Sequence, residues 1–239
     1  MYKKIYFIGI KGVGMAGLAI MAKQAGFIVE GSDVKEEFIT DKILKDEGIH
    51  IRIGFKKENP EDFYGLNPAD SLFIATGAHD GFENPEAVWA RSQNIKIISH
   101  GEAVGLFMSG KLFDRSDIEG ISVSGTHGKT TISGMLSFLL QKLGADPSYT
   151  VGTSEITPLG AAGHYGSGKY FVAEADEYMA GKLDPTPKFL YQKPRYLIIN
   201  NIDFDHPDFY RDIDAVKHAF EEFVSNLEEG ATLIVNGDD

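Results

Sequence analysis

The chain has 239 residues, of which 43% are hydrophobic, which is enough for one large core or two small ones. Its formal net charge is −12 and its acidic residues are scattered along the chain, which argues against a general nucleic-acid-binding surface. The absence of cysteine excludes disulfides, thiolate metal sites and a cysteine nucleophile. No apolar run approaches the ~18 residues of a membrane span, so we predict a cytoplasmic protein without membrane insertion.

Strands alternate with helices through the first part of the chain. An apolar strand at 6–10 leads into a helical pattern that Gly26 ends, and a second strand at 27–29 runs into Gly31-Ser32-Asp33. The pattern continues with a helix at 40–47, strands at 49–53 and 71–75, a helix at 85–93 and a strand at 95–99. This alternation predicts an α/β fold with a Rossmann-like parallel sheet.

The glycines after the first strand fit a dinucleotide-binding turn only loosely. Gly9, Gly12 and Gly14 are spaced G-x-x-G-x-G rather than G-x-G-x-x-G. One interpretation is an NAD-binding oxidoreductase module in which Asp33 binds the ribose. Another is a tight turn that serves packing alone.

A polar stretch at 109–118 predicts a linker between two domains, 1–108 and 119–239. In the second domain we predict a parallel P-loop NTPase-like sheet, left incomplete because such sheets normally need further strands to cover their faces. Its expected elements are a strand at 121–124, a helix at 132–143, strands at 170–173 and 196–199, a helix at 213–227 and a strand at 232–235.

The segment Gly125-Thr126-His127-Gly128-Lys129-Thr130-Thr131 lies between a strand and an amphipathic helix. Such a turn directs backbone N–H groups and the positive end of the helix dipole at one point, where they can hold a polyphosphate. Lys129 suits the β- and γ-phosphates of ATP, and the Thr130 hydroxyl suits Mg²⁺. The generic P-loop pattern asks for glycine at position 123, where this chain has valine.

Two polar segments follow predicted strands of the second domain. Glu174 comes at the end of one strand, where a carboxylate can reach a Mg²⁺ held by Thr130. Asn201 and His206 follow the next strand, and His206 is a candidate ligand for a second metal ion.

Together these motifs resemble the Mur ligases of peptidoglycan synthesis in the bacterial cell wall. The resemblance rests on Phe-Ile-Gly-Ile-x-Gly-x-Gly-Met at 7–15, Gly-Ser-Asp at 31–33, the glycine turn at 125–131, Glu-Ala-Asp-Glu at 174–177 and Asn-x-x-x-Asp-His at 201–206. The family's P-loop does not keep the first glycine, so Val123 agrees with this assignment.

The resemblance implies an ATP-dependent, Mg²⁺-requiring carbon–nitrogen ligase that works through an acyl phosphate. By resemblance, Lys129, Glu174 and His206 are catalytic, residues 125–131 and Asn201 bind ATP, and Thr130, Glu174 and His206 bind metal. The UDP-sugar site is implied at these positions: Gly9, Gly12, Gly14, Ser32 and Asp33.

Within the family, the sequence most resembles the branch that joins L-alanine to UDP-N-acetylmuramate. Both of these substrates are small molecules. A branch that joins a ready-made tripeptide to the same nucleotide sugar shares these motifs and stays open, as do the oligomeric state and the role of Lys217. Family chains are about twice this length and carry a C-terminal domain for the incoming amine. We therefore expect a fragment that binds its nucleotides without completing ligation.

Overall fold

The computed structural model describes residues 2–64 and 68–238, so the outermost residues of the two predicted domains, 1 and 239, lie outside it. The first half contains five strands and five helices within the described residues. These are β1 (Lys4–Ile8), α1 (Val13–Gln24), β2 (Ile28–Asp33), α2 (Asp41–Asp46), β3 (His50–Ile53), α3 (Glu58–Tyr64), β4 (Ser71–Ala75), α4 (Pro85–Ser92), β5 (Lys96–Ser99) and α5 (His100–Met108).

The first-half strands form one parallel sheet in the order β3-β2-β1-β4-β5. The order reverses direction at β1, as in doubly wound nucleotide-binding folds, where ligands bind beyond the carboxyl ends of the strands. The Rossmann-like sheet predicted from the sequence is therefore confirmed. Two helices, α3 and α5, were not predicted, although Ser99 and Glu102 form a capping box at the start of α5.

The second half begins after residues 109–118, which contain no helix or strand. Its elements are β6 (Glu119–Ser124), α6 (Lys129–Lys142), β7 (Ser148–Ile156), β8 (Gly160–His164), β9 (Tyr170–Ala175), β10 (Met179–Gly181), β11 (Asp184–Pro187), β12 (Tyr196–Ile199), α7 (Ile213–Ser225) and β13 (Thr232–Val235). A 3₁₀ turn at Lys188–Tyr191 follows β11.

Six strands of this half form a sheet in the order β13-β12-β6-β9-β7-β8, parallel except for the β7–β8 hairpin. The prediction of a P-loop-type α/β fold for this half is therefore confirmed. The β7–β8 and β10–β11 hairpins are not evident from the sequence, because their glycine- and proline-containing segments lack the long apolar runs that identify buried strands.

Helix α1 lies between the two sheets and connects the halves. Its residues from Met15 to Ala22 are all buried, and it packs against β7 and β8 as well as its own sheet. The same buried cluster includes Phe107 from α5 and Phe171 and Ala173 from β9. A helix that is apolar on every side needs neighbours on every side, so the two halves share one core.

Two glycines allow α1 to approach the β7–β8 hairpin closely. A Cβ at Gly163 in β8 would overlap the carbonyl oxygen of Gly17 in α1, and a Cβ at Gly17 would lie 2.9 Å from the Thr150 hydroxyl oxygen. The absence of both side chains therefore determines how near the helix lies to the second sheet.

None of the helices within the described residues is long and apolar enough to span a bilayer.

We expect Gly163→Ala to lower the free energy of unfolding by about 1–3 kcal/mol, because the added methyl group overpacks the contact between the halves. Gly134→Ala in α6 is the matched control. Its Cβ would meet only Ile156 Cγ2 at an ordinary 3.7 Å, and alanine favours helix, so it should gain about 0.5–1 kcal/mol. Denaturant unfolding of both variants checks this, and equal effects would contradict it.

Glu86 is a fully buried carboxyl group under the first sheet. It accepts hydrogen bonds from the Ser32 hydroxyl, from Asn59 Nδ2 at 2.7 Å and from the Lys56 backbone N–H at 3.2 Å. Burial raises its pKa, and these donors only partly oppose the rise. The native state therefore holds the Glu86 proton more tightly than the unfolded chain does.

The Glu86 contribution to stability should consequently fall as pH rises from the ordinary pKa of a glutamate, about 4.3, through the higher native value. We expect Glu86→Gln to lack this fall, because the amide keeps an oxygen for Asn59 and Lys56 and offers its NH₂ to Ser32. Unfolding free energies of both proteins between pH 4 and 7 measure the difference. A difference that does not change with pH would show that Glu86 does not titrate there.

Candidate functional site

The glycine turn at 125–128 connects β6 to α6, as predicted. Gly125 has φ +132° and Gly128, the N-cap of α6, has φ +83°, both in a region that side-chain-bearing residues rarely adopt. A Cβ at Gly125 would also lie 3.0 Å from the backbone of Asn201. Helix α6 begins at Lys129, three residues before the predicted start, so Lys129 and Thr130 lie in its first turn.

Asn201 supports the turn from the segment that follows the adjacent strand, β12. Its Oδ1 accepts the backbone N–H of His127 at 2.8 Å, and its Nδ2 donates to the His127 carbonyl at 3.1 Å. The Asn201 carbonyl accepts the Thr126 N–H at 3.1 Å, and the Thr126 hydroxyl donates to the Asp203 carbonyl at 3.1 Å. The segment after β12 therefore fixes the shape of the phosphate-loop candidate.

Lys129 lies folded back on its own loop. Its Nζ donates to the carbonyl oxygens of Gly125 at 2.8 Å and Thr126 at 3.3 Å, and it pairs with both carboxylate oxygens of Glu177 at 2.9 and 3.2 Å. The Glu177 side chain is 2% exposed. Sequence reasoning missed Glu177 as the partner, although it belongs to the same acidic run as Glu174.

Thr130 and Glu174, the two residues predicted to share a Mg²⁺, lie in direct contact. The Thr130 hydroxyl donates to Glu174 Oε2 at 3.2 Å, and the other carboxylate oxygen accepts the Gly152 N–H at 2.6 Å. Burial raises the pKa of Glu174, while these two hydrogen bonds act in the opposite direction. A hydroxyl and a carboxylate at one point are oxygen ligands of the kind that Mg²⁺ takes.

His206 joins a second group of ligands, with Asp176 and Glu177. One ligand atom from each residue lies within 4.8 Å of the others, and His206 Nε2 is 3.8 Å from Glu177 Oε1. His206 has φ +55°, and its ring packs against Tyr178 with centroids 4.5 Å apart. Carboxylate oxygens and an imidazole nitrogen fit a divalent cation such as Mg²⁺ or Mn²⁺.

Asp176 has its own counter-ion, Lys188, whose Nζ is 2.7 Å from Asp176 Oδ2. Burial is the largest single influence on the pKa of Asp176 and raises it, but Lys188, the Tyr178 N–H and the charge of Lys129 together hold that pKa below its usual value. Lys217, whose role the sequence leaves open, lies on α7 and is exposed.

The glycine turn of the first half faces this group of residues. Gly12 is the N-cap of α1 and, because it has no side chain, leaves the helix without a side-chain cap. Gly14 lies in the first turn of α1, where a Cβ would lie 2.8 Å from His100 Nε2. Gly9 has φ +81° and lies against Thr76. Burial and, to a smaller extent, the positive charge of Lys188 lower the pKa of His100 to about 4, so its imidazole is neutral at physiological pH.

Ser32 and Asp33, predicted at the nucleotide-sugar site, point into the protein in this structure. Ser32 is fully buried and donates to Glu86. Asp33 is 1% exposed and accepts the backbone N–H groups of Lys11 at 2.7 Å and Val34 at 2.8 Å. The Asp33 side chain and the Ser32 backbone carbonyl, which accepts the Gly9 and Ile10 N–H groups, hold the turn after β1 in place, and neither residue lines the open cleft.

A cleft of about 770 Å³ lies between the two halves, at the carboxyl ends of their strands. Its lining includes residues of both predicted sites: Gly12, Gly14, Thr126, Lys129, Glu174 and His206. It also includes three residues that the sequence did not single out: His100, Asp176 and Lys188. The other loop residues, Gly125, His127, Gly128, Thr130 and Thr131, surround the start of α6 beside it.

Two family models match this chain, each over one of its halves. Residues 4–112 match "Mur ligase family, catalytic domain", and residues 123–239 match "Mur ligase middle domain".

Relatives from two bacteria, each named UDP-N-acetylmuramate--L-alanine ligase, match almost the whole chain. The protein from Caldicellulosiruptor bescii is 37% identical over 236 residues, and the protein from Clostridium perfringens is 37% identical over 237 residues. Each match covers 99% of this chain and 47% of the relative, so the chain spans about half the length of these proteins.

Solved structures agree with these matches. UDP-N-acetylmuramate:L-alanyl-gamma-D-glutamyl-meso-diaminopimelate ligase from Neisseria meningitides is similar at a TM-score of 0.82 and 27% identity, over 100% of this chain and 72% of that one. UDP-N-acetylmuramate-alanine ligase from Thermotoga maritima is similar at a TM-score of 0.76 and 28% identity, over 99% of this chain and 49% of that one. With both halves matched in sequence and in structure, the chain belongs to the Mur ligase family and carries its catalytic and middle domains.

Proposed function

We propose that this chain forms the ATP site and the UDP-sugar site of a ligase that joins L-alanine to UDP-N-acetylmuramate. One observation carries the proposal: the phosphate-loop candidate with Lys129, both cation-ligand groups and the glycine turn at Gly12 and Gly14 border one cleft. A reaction between two polyanions needs cations placed between them, and this cleft concentrates the residues that supply or hold them.

In the proposed reaction, the lactyl carboxylate of the nucleotide sugar attacks the γ-phosphate of ATP, and ADP leaves. The amino group of the second substrate then attacks the resulting acyl phosphate, and the tetrahedral intermediate collapses to an amide with release of phosphate. Lys129 and the N–H groups of the turn stabilise the transferring phosphoryl group. Thr130 and Glu174 would hold one Mg²⁺, and His206, Asp176 and Glu177 would hold a second; when bound, these ions would neutralise charge on the phosphates.

The N-terminus of α1 is the proposed site for the diphosphate of the nucleotide sugar. Gly12 leaves the N–H groups of the first turn without a side-chain cap, and Gly12, Gly14 and Met15 line the cleft. Free N–H groups and the positive end of a helix dipole favour an anionic group there. The first-half residues of the proposed UDP-sugar site thus act mainly through their backbone, with Ser32 and Asp33 supporting the turn.

The incoming amine is proposed to be L-alanine because the relatives at 37% identity carry that name. The tripeptide ligase remains the second candidate, supported by the Neisseria structure at a TM-score of 0.82. An NAD-dependent oxidoreductase is disfavoured, because the Asp33 carboxylate that would bind a ribose is buried on the backbone of the turn. A cytoplasmic location and the domain boundaries 1–108, 109–118 and 119–239 belong to the same proposal.

We expect Lys129→Gln to weaken binding of a non-hydrolysable ATP analogue with Mg²⁺ by about tenfold to a hundredfold, the worth of a hydrogen bond to a charged group. Isothermal titration calorimetry measures this. Lys142→Gln is the matched control, since it makes the same charge change at the exposed far end of α6 and should bind normally. Equal losses of affinity in both variants would mean that only the net charge of the protein matters, and would contradict the proposed ATP site.

Gly12→Val tests the nucleotide-sugar site independently. A Cβ at Gly12 has only ordinary contacts, the nearest at 3.7 Å, and its φ of −57° suits any residue, so the variant should fold. Its side chain would cover the N-terminus of α1, and we expect affinity for UDP-N-acetylmuramate to fall by at least about tenfold while binding of the ATP analogue stays unchanged. Tight binding of NADH by the wild type, lost in this variant, would support the oxidoreductase instead.

A further inference from the structure

The Lys129 ammonium occupies the loop that should receive phosphate. All its hydrogen-bonding capacity is used by the carbonyl oxygens of Gly125 and Thr126 and by the Glu177 carboxylate. The Lys129 and Glu177 side chains are 15% and 2% exposed respectively, so water contributes little to either charge. In this state Lys129 is directed at Glu177 and away from a ligand.

Glu177 cannot lose Lys129 without a replacement. A buried carboxylate whose partner is removed retains the full cost of its lost hydration, which makes breaking a buried ion pair strongly unfavourable. Nearby, Tyr210 donates its hydroxyl only to the Glu177 backbone carbonyl, at 2.6 Å, and so does not neutralise the side chain. Movement of Lys129 toward a triphosphate would therefore leave two sets of negative charge facing each other.

The replacement site is already formed around Glu177. His206 Nε2 lies 3.8 Å from its Oε1, and Asp176 completes a group whose ligand atoms lie within 4.8 Å of one another. Asp176 is paired with Lys188 at 2.7 Å, so Glu177 is the member of the group whose counter-ion, Lys129, is itself needed elsewhere. A divalent cation here would restore the positive charge that Lys129 takes away.

We propose that Glu177 is a positioning residue that exchanges Lys129 for a divalent cation, so that Lys129 turns toward the phosphates of ATP as the cation takes its place on the carboxylate. This inference rests on the proposed function, because it uses the same ATP and cation sites. No covalent bond changes in the exchange. Its consequence is reciprocal coupling: the cation favours phosphate binding by Lys129, and phosphate favours cation binding by Glu177.

Binding of Mn²⁺ alone to the purified chain tests the exchange, measured by electron paramagnetic resonance of the free ion. The variants are Lys129→Met, Glu177→Gln and the double variant. We expect Lys129→Met to bind Mn²⁺ at least about tenfold more tightly than the wild type, because Glu177 is then free of its competitor. Glu177→Gln should bind more weakly than the wild type.

The double variant separates exchange from simple repulsion. Removing the Lys129 charge would strengthen Mn²⁺ binding somewhat by Coulomb's law even without Glu177. Exchange requires the gain from Lys129→Met to be much larger with Glu177 present than with glutamine in its place. Equal gains in the two backgrounds would overturn the proposal. Adding Glu174→Gln to each variant should remove Mn²⁺ binding at the Thr130–Glu174 pair, and the difference between the two gains should remain.

A second measurement covers the case in which Lys129→Met fails to fold because Glu177 is left buried and unpaired; thermal unfolding detects that failure. In EDTA, the ATP analogue should bind Glu177→Gln several-fold more tightly than it binds the wild type, since Lys129 is no longer held back. Asp176→Asn makes the same charge change beside Lys188 rather than Lys129, and should gain less. Equal gains in the two variants, or none in Glu177→Gln, would overturn the exchange.

The outcomes also separate this inference from the proposed function. If the wild type binds no ATP analogue with or without Mg²⁺, the proposed function fails, whatever the Mn²⁺ results. If the analogue binds and depends on Lys129 while the Mn²⁺ gains are equal in both backgrounds, only the exchange fails.

Discussion

The close packing of α1 against the β7–β8 hairpin is the contact on which the rest of the structure depends. Gly17 and Gly163 let the helix backbone approach the second sheet to a distance that any Cβ at either position would prevent. Because α1 is buried on every side, the two sheets share one core and cannot separate without exposing it. The N-terminus of the same helix borders the cleft, so this contact also determines how far Gly12 and Gly14 lie from the phosphate-loop candidate.

The chemistry of the cleft follows from a scarcity of positive charge. In a chain of net charge −12, an anionic ligand must be held by a few local donors. Two of the three lysines on the cleft, Lys129 and Lys188, are each paired with a carboxylate of the acidic run, at 2.9 and 2.7 Å. The same two carboxylates belong to the group of possible cation ligands with His206, so the charges of the cleft are balanced by these contacts, which the proposed exchange would rearrange.

Much of the candidate site could be predicted from the sequence because its parts are local. The turn at 125–128 needs glycine at particular backbone angles, and the Lys129 and Thr130 that follow it can be recognised without knowing the fold. Parallel strands place their carboxyl ends at one edge of a sheet, so Glu174, at the end of β9, and His206, after β12, could be expected near that turn. Thr130 and Glu174 are the pair that this reasoning brings together, and in the structure they are in direct contact.

By itself, the sequence determined the α/β class, the two parallel sheets and the phosphate-loop candidate, because strand periodicity and glycine turns are properties of short segments. Tertiary structure alone decided which acidic residue holds Lys129. Glu174 and Glu177 lie in one acidic run at the end of β9, but the Glu177 side chain is directed at Lys129 and the Glu174 side chain at Thr130. It also decided that Ser32 and Asp33 face inward while Gly12 and Gly14 line the cleft. Side-chain direction and close approach between distant segments depend on packing, and a linear pattern does not contain that information.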